Sequence, residues 1–368
     1  MTRPAHHLSK PAIAAGVAPI VVVGGCGFIG SNLTHSLLED GEDVVVLDNL
    51  SRPGVEQNLA WLQHHHGDRV HPVIADVRDL AAIEPVFAGA KAVFHFAAQT
   101  AVTTSLTNPI DDFEVNARGT LNVLEAVRRG ARQAPVVFSS SNKVYGGLDD
   151  IALVEREDRY VPTDAFVLAS GVSEDRPLDF CTPYGCSKGV ADQYVLDYAS
   201  SYGMQTAVLR MSCIYGPRQF GTEDQGWVAH FLIQALDGLP ITIYGDGKQV
   251  RDILHVSDAV AAYRALLNSI GRVSGRAFNL GGGPANAVSL VMVLAEIERL
   301  TGRPVTIHQG VRREGDQLYF VADTSRLKAE LGWKARLGWR EGLRNLGDWL
   351  ETRRQGTSTS GVPERASA

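Results

Sequence analysis

The sequence is poor in cysteine and contains no long hydrophobic run. Its four cysteines are scattered over 368 residues, and the two nearest neighbours, Cys181 and Cys186, match neither a CxxC redox motif nor a zinc-binding spacing. We therefore expect reduced thiols, as in a cytoplasmic protein. No stretch approaches the ~18 apolar residues that cross a membrane. These absences argue against a disulfide-stabilised scaffold and against an integral membrane protein.

Strongly basic segments are also missing. The formal net charge is −6, and no run of lysine and arginine marks a nucleic-acid-binding surface. The basic start of the chain lacks the apolar stretch of a secretory signal, so we expect residues 1–17, and likewise 355–368, to form flexible tails. The remaining length, with 45% hydrophobic residues, is sufficient for one large α/β unit or two closely joined ones.

Histidines are clustered near the end of one predicted helix, as His64, His65 and His66. Adjacent residues on a helix point in different directions and cannot all bind one metal ion. We therefore predict that these side chains are solvated and that the protein holds no metal.

Short apolar runs alternate with helical patterns from residue 18 to about residue 211. The helical patterns cover 29–39, 110–129 and 184–202. The runs predicted to be strands are PIVVVG, DVVVLD, RVHPVIAD, AVFHFAA, APVVFSSS and QTAVLRMS. Because they are rich in valine and almost continuously hydrophobic, they are typical of parallel strands buried on both faces. The alternation predicts an α/β fold, with a Rossmann-type doubly wound parallel sheet over 18–211.

The alternation becomes less regular after residue 211. We expect a smaller, mixed α/β substrate domain over 212–354, ending in two short helices, with some segments around 251–280 returning to the first domain. Residues 147–176 form the one long stretch without a regular pattern. A loop of that length is usually functional or disordered.

A glycine motif opens the first predicted helix. Gly24, Gly27 and Gly30 have GxxGxxG spacing, which permits a tight turn and lets the backbone approach a pyrophosphate. Asp48 ends the next strand, where an acid binds the adenosine ribose and would repel a 2′-phosphate. The pattern predicts an NAD site. The residues expected to contact the cofactor are Gly24, Gly27, Phe28, Ile29, Gly30, Asp48, Asn49, Asp76, Val77, Phe96, Ala97 and Ala98.

A tyrosine and a lysine share one face of a later helix. Tyr184 and Lys188 are four residues apart, and a neighbouring cation lowers the pKa of a phenol from its usual value of ~10. Such a pair alone is most often a solvated helix face. Beside a dinucleotide site, it can remove a hydroxyl proton while hydride leaves the same carbinol. We predict the catalytic role.

The motifs together resemble a known family. In chain order the sequence has GxxGxxG, Asp48, the pair Asp76–Val77, the string FAA, Asn116, a serine-ended fifth strand, YxxxK and a late RREGD. As a set these resemble the extended short-chain dehydrogenase/reductase family of sugar-nucleotide epimerases, over about residues 19–350. The strings SSSNKVYG and EDQGWVAHF are similar to the branch that inverts C2 of CDP-linked sugars.

The resemblance implies that Tyr184 and Lys188 also touch the cofactor, and it implies further residues of the site. Ser141 would be the third catalytic residue, hydrogen-bonded to the reacting oxygen. Asn116 would orient the cofactor near the nicotinamide, or it is a buried amide bonded to the backbone.

Asp76 would lie near the adenine, although an isolated aspartate there is more often a helix cap.

Other residues are implied for the sugar nucleotide. Arg251 and Arg313 match family positions that bind the substrate diphosphate, and Arg218 is a third candidate, although each alone is more often a surface arginine. Asn142 and Lys143 stand where family dehydratases carry acids, which favours redox epimerisation over elimination; both would contact the substrate. Asp224, Gln225 and Trp227 would shape the pocket.

The expected function is inversion of C2 of a CDP-linked (deoxy)hexose through a transient 2-keto sugar. A sugar-nucleotide 4-epimerase or reductase acting on a UDP- or CDP-hexose, and a catalytically silent NAD-binding sensor, stay open as alternatives. The family's long helices usually pair across a twofold axis, so we expect a homodimer, with a nucleotide sugar as substrate and neither nucleic acid nor membrane as partner.

Overall fold

The computed structural model describes residues 18–359, with side chains described for 18–355. The predicted tail over 1–17 and most of that over 355–368 lie outside these residues. The strands are β1 (Ile20–Val23), β2 (Val44–Asp48), β3 (Val70–Ile74), β4 (Ala92–His95), β5 (Val136–Ser141), β6 (Leu153–Glu155), β7 (Tyr160–Pro162), β8 (Thr206–Met211), β9 (Cys213–Tyr215), β10 (Ile241–Tyr244), β11 (Val250–His255), β12 (Arg276–Leu280), β13 (Ala287–Ser289), β14 (Ile307–Gly310) and β15 (Tyr319–Phe320). The helices are α1 (Phe28–Glu39), α2 (Val55–His66), α3 (Leu80–Ile83), α4 (Val102–Thr107), α5 (Pro109–Phe113), α6 (Gly119–Gly130), α7 (Ala165–Ser170), α8 (Thr182–Tyr202), α9 (Trp227–Asp237), α10 (Val256–Asn268), α11 (Ile270–Val273), α12 (Leu290–Thr301), α13 (Ser325–Leu331) and α14 (Trp339–Thr359).

The main sheet has seven strands in the order β12–β8–β5–β4–β1–β2–β3. Every neighbouring pair is parallel. Alternate residues of β1 face two separate cores: Val22 packs toward α1 and α10, whereas Val21 and Val23 pack toward α6 and α8. The predicted doubly wound Rossmann-type sheet is confirmed.

The chain returns to the main sheet late. β12 extends the sheet beyond β8, and α10 packs on α1 in the same core. β11, which precedes α10, belongs instead to a four-stranded sheet with β9, β13 and β15. Of the segment 251–280, therefore, only the part after β11 joins the first unit.

A smaller mixed unit contains that sheet, the parallel pair β10–β14 and the helices α9, α12 and α14. Leu343, Leu346 and Leu350 of α14 are buried in its core. The expectation of two short C-terminal helices was wrong for the second, because α14 has 21 residues and includes 355–359, the described start of the predicted tail. These leucines recur at helical spacing and fix α14 against the unit.

The segment 147–176 is not irregular. It forms the antiparallel pair β6–β7 and the helix α7. Contacts with the smaller unit hold it: the Tyr160 N–H donates to the Lys248 carbonyl at 3.0 Å, and Lys248 Nζ pairs with Glu155 at 2.6 Å. Strands of three residues are too short to reveal a period-two pattern, which is why the sequence did not predict them.

The helix predicted over 110–129 is continuous but changes its winding. A π-helical turn, Glu114–Arg118, separates α5 from α6. Turns of this kind are frequent at functional sites. Here the turn carries Asn116 into the interior beside α8.

Candidate active site

Two adjoining cavities lie at the carboxyl ends of the main-sheet strands, where α/β proteins bind ligands. The first measures about 540 Å³ and the second about 350 Å³. Tyr184 and Ser140 line both, as do Gln219, Asp224 and Gln225. Tyr184 therefore stands where a molecule in one cavity would meet a molecule in the other.

The first cavity is built on the glycine loop between β1 and α1. Gly24 has a φ of 78°, and a Cβ there would lie 2.5 Å from the Ala97 nitrogen. A Cβ on Gly30 would lie 2.2 Å from the Gly24 carbonyl oxygen. The loop therefore requires glycine, and it leaves room for a phosphate-bearing group at the N-terminus of α1. These residues fit a dinucleotide.

Asp48 is held in place by backbone N–H groups. It accepts hydrogen bonds from the N–H of Cys26 at 3.0 Å and of Leu50 at 2.9 Å. Burial raises the pKa of Asp48, while these N–H groups act in the opposite direction. The carboxylate keeps further lone pairs that could accept from a ribose diol, so the role predicted for it stays a prediction.

Asp76 lines the same cavity in an ionised state. Asn49 donates to it at 2.9 Å, and hydrogen bonds from Arg78 lower its pKa to about 2. The cap of α3 is Asp79, which accepts from the Ala82 N–H. Asp76 is therefore not the helix cap of the alternative interpretation. The other predicted cofactor residues that line this cavity are Gly27, Phe28, Ile29, Val77, Phe96, Ala97, Ala98 and Lys188.

Asn116 lines neither cavity. Its Oδ1 accepts from the Gln99 N–H at 2.9 Å, and its Nδ2 lies within reach of Gln99 O, Ser187 Oγ and Asp112 Oδ1. The geometry supports the alternative of a buried amide satisfied by the protein. Its effect on a bound cofactor would pass through Gln99, which does line the first cavity.

The predicted catalytic residues come together from β5 and α8. Tyr184 is 8% exposed and Lys188 is 3% exposed. Lys188 Nζ donates to the Ser139 carbonyl at 2.6 Å, while Ser141 ends β5 in the second cavity. Burial raises the pKa of Tyr184 to about 12, although its hydrogen-bonding contact with Ser141 lowers it. Burial also lowers the pKa of Lys188 to about 7.

In the protein alone, the pKa of the Tyr184 phenol is therefore raised and not lowered as expected from its lysine neighbour. Desolvation of the phenol dominates, and desolvation of the lysine likewise disfavours its charged form. A positive charge bound in the first cavity would lower the pKa of the phenol, because Tyr184 and Lys188 both line that cavity.

Sequence reasoning missed a buried carboxylate behind the pair. Asp112 is 1% exposed and accepts hydrogen bonds from Ser187 Oγ, from Gln99 Nε2 at 2.8 Å and from Asn116. Together with Asp192, which has the larger effect, Asp112 favours the protonated form of Lys188. The spacing of Asp112 and Asn116 on one helix face was a usable signal.

The second cavity contains the cations expected to face a sugar nucleotide. Arg251 Nη2 lies 2.6 Å from Asp316 Oδ1, and the Lys143 Nζ donates to the Gly315 carbonyl at 3.0 Å. Arg313 lies 3.9 Å from the ring centre of Tyr244. Burial lowers the pKa of Lys143 to about 8. Asn142, Asp224, Gln225 and Trp227 line this cavity too.

Two placements differ from expectation. Arg218 lines the first cavity and is absent from the lining of the second. His66 is buried, not solvated, and one of its nitrogens lies 2.8 Å from His35 Nδ1. Glu39 lies close enough that the three side chains could share an ion, so the absence of a metal stays a prediction.

Comparison with known proteins agrees with this geometry. Residues 20–281 match the model of the NAD dependent epimerase/dehydratase family. The CDP-paratose 2-epimerase of Salmonella typhi is 41% identical over 346 residues, which cover 90% of this chain and 99% of that protein. A putative UDP-glucose 4-epimerase of Methanocaldococcus jannaschii is 32% identical, covering 90% and 98%.

Solved structures are similar over the same length. The UDP-glucose 4-epimerase of Thermus thermophilus, in complex with NAD, has a TM-score of 0.76 at 31% identity and covers 90% of this chain and 99% of its own. The dTDP-glucose 4,6-dehydratase DesIV of Streptomyces venezuelae, with NAD bound, has a TM-score of 0.79 at 26% identity, covering 92% and 98%. Within the described residues, no helix is long and apolar enough to span a membrane. The chain is an enzyme of the NAD dependent epimerase/dehydratase family, and NAD is its cofactor.

Proposed function

We propose that the enzyme inverts C2 of a CDP-linked (deoxy)hexose. The observation that carries the proposal is the position of Tyr184, which lines both the cavity built on the glycine loop and a second cavity lined by Lys143, Arg251 and Arg313. The similarity to a CDP-paratose 2-epimerase over almost the whole chain supports C2 and cytidine as the specific choice.

The residues divide the chemistry between them. Bound NAD⁺ supplies a hydride acceptor and later a donor. Ser141 would hold the reacting oxygen by a hydrogen bond, and Tyr184 would take the hydroxyl proton and later return it. Lys188, fixed on the Ser139 carbonyl, would stabilise the phenolate, and Asp192 and Asp112 would help to keep that lysine charged.

Inversion requires the sugar to present both faces while its nucleotide stays bound. Arg251 and Arg313 would hold the diphosphate. Asn142 and Lys143, beside Ser141, would contact the sugar. Neither of these two is an acid, so the positions offer no carboxylate for eliminating water, and simple oxidation and reduction is the reaction that they support.

A homodimer is part of the proposal. Ile110 is 76% exposed and Phe113 49% exposed on α5, and Tyr194 is 42% exposed on α8. Apolar side chains at this exposure on the two predicted pairing segments support their contact with a second copy. We propose the cytoplasm as the site of action, in keeping with the unpaired state of all four cysteines.

Proton NMR of the purified enzyme with CDP- and UDP-linked sugars in D₂O, without added reductant, tests the proposal. Inversion at C2 without deuterium at that carbon is the expected result. Inversion at C4 would favour the 4-epimerase alternative, which the UDP-glucose 4-epimerase relatives support. Deuterium at the inverted carbon would indicate a carbanion route. Failure to convert any sugar despite bound NAD would favour a reductase or a sensor.

A further inference from the structure

The guanidinium of Arg218 has a charge that no described residue balances. Within the described range it forms neither a hydrogen bond nor an ion pair; it lies 3.7 Å from the ring centre of Trp61 and 5.7 Å from that of Trp349. Burial lowers its pKa to about 10, and the positive charge of Arg353 acts in the same direction. A planar cation with five free donors beside a second cation is suited to a phosphate.

The backbone around Arg218 is bound to the dinucleotide loop. The Asn58 amide donates to the carbonyl oxygens of Cys26 at 3.0 Å and of Arg218 at 3.4 Å. Asn32 of α1 donates to the Pro217 carbonyl at 3.0 Å. Arg218 therefore lies beside the N-terminus of α1, where a helix favours negative charge.

Two residues that line the same cavity each carry a buried acceptor atom without a partner. Asn58 Oδ1 and Gln219 Oε1 have no hydrogen-bond partner among the described residues, although Asn58 is fully buried and Gln219 is 7% exposed. Buried acceptors are costly when unpaired, and ribose hydroxyls are donors of the required kind. A cation beside two acceptors complements a phosphate attached to a ribose.

Residues 217–220, which we call the strap, are held by the C-terminal helix. Arg218 has a φ of 73°, which a non-glycine residue keeps only where its surroundings enforce it. The Phe220 ring covers Gly54, where an added Cβ would lie 2.8 Å from it. Trp349 of α14 lies 6.3 Å from Phe220 between ring centres, and Arg353 lies over the Phe220 ring at 4.8 Å.

We propose that the strap retains the cofactor: Arg218 binds a phosphate of the dinucleotide, and α14 holds the strap closed through Trp349. This assigns Arg218 to the cofactor and not to the substrate diphosphate. The inference rests on NAD binding and not on the identity of the sugar. Retention matters because the hydride taken from the sugar returns from the same nicotinamide. A cofactor lost between the two transfers would leave a keto sugar and NADH as products.

The test compares Arg218→Gln with Arg313→Gln, which removes a cation from the second cavity. For both variants and the wild type, bound NAD per chain is measured after gel filtration, and the dissociation constants of NAD and of CDP are measured by calorimetry. Arg218→Gln should raise the NAD constant about 10- to 100-fold, as expected for the loss of a charge-assisted hydrogen bond, and leave that of CDP unchanged. Arg313→Gln should raise the dissociation constant of CDP and leave that of NAD unchanged. An Arg218→Gln protein with normal NAD content and weakened CDP binding would overturn the proposal.

Two more variants separate binding from misfolding. Arg218→Lys keeps the charge but loses the planar fork, so its NAD affinity should fall between those of the wild type and Arg218→Gln at an unchanged melting temperature. Trp349→Ala leaves Arg218 intact and should release NAD at least about tenfold faster from the holoenzyme. Release at the wild-type rate would show that α14 does not hold the strap.

Discussion

Lys188 donates a hydrogen bond of 2.6 Å to the backbone carbonyl oxygen of Ser139. The contact joins α8 to the end of β5 and brings the ammonium within 4.3 Å of the ring centre of Phe138. The lysine is therefore fixed by a strand of the main sheet, one helical turn from Tyr184. The side chain is held in one position, but its charged form is unfavourable. A carbonyl oxygen and an aromatic ring replace the water that would solvate the ammonium.

Folding stability should depend on pH through Lys188. Burial lowers its pKa from 10.5 to about 7, against the attraction of Asp192 and Asp112. Between pH 7 and pH 10.5 the unfolded chain binds more protons than the folded chain, so the free energy of unfolding rises with pH. The contribution of the lysine is therefore complete above pH 10.5 and is lost as the pH falls through 7. In urea titrations of NAD-free protein, the wild type should gain stability relative to Lys188→Met as pH rises across this window. A difference independent of pH would contradict the assignment.

Replacing Tyr184 by phenylalanine should separate chemistry from cofactor binding. The variant loses the proton acceptor but keeps the ring that lines both cavities, so the rate should fall roughly 100- to 10,000-fold while bound NAD stays at the wild-type level. Tyr202→Phe, at the exposed far end of the same helix, is the matched control and should keep the wild-type rate. A Tyr184→Phe enzyme of normal rate would exclude the phenol as the base.

Local patterns were sufficient to predict the main sheet and the cofactor loop. Valine-rich runs separated by helical periods specify parallel strands, and the spacing of Gly24, Gly27 and Gly30 has a steric cause that the structure displays, since Gly24 and Gly30 cannot carry a Cβ. The YxxxK spacing places Tyr184 and Lys188 on one helix face, because residues four apart in a helix are neighbours.

Features that depend on tertiary burial were not predictable. The direction of the Tyr184 pKa depends on how completely the phenol is enclosed, which no spacing encodes. His66 is buried because α2 ends against His35 of α1, and Arg218 reaches the cofactor cavity because α14, more than a hundred residues later in the chain, packs Trp349 beside it. Contacts this distant in sequence carry no local signature.

A buried ion pair gives a third prediction. Arg210 of β8 donates two hydrogen bonds to Asp192 of α8, both of 2.9 Å, and Asp192 is fully buried. Asp192→Asn leaves the guanidinium without a counter-charge and should lower the free energy of unfolding by about 3–5 kcal/mol. Urea unfolding measures the change.

The exposed Asp197 of the same helix supplies the control for that prediction. Asp197→Asn should change the free energy of unfolding by less than about 0.5 kcal/mol. The double variant Asp192→Leu with Arg210→Met should recover much of the loss, because an apolar pair has no buried charge to solvate. Equal effects of Asp192→Asn and Asp197→Asn would show that the pair does not stabilise the fold.

Asp48 should determine both the strength and the choice of dinucleotide. Its carboxylate is held by the N–H groups of Cys26 and Leu50 and lines the first cavity, where the adenosine ribose is expected to bind. Asp48→Ala removes the acceptor for the ribose diol and the charge that repels a 2′-phosphate. NAD should bind about tenfold or more weakly, and the preference for NAD over NADP should shrink, as calorimetry with both cofactors would measure. Asp48→Asn, which keeps one acceptor oxygen, should lose less NAD affinity but as much discrimination. If Asp48→Ala bound NAD as tightly as the wild type in a folded protein, the ribose assignment would be wrong.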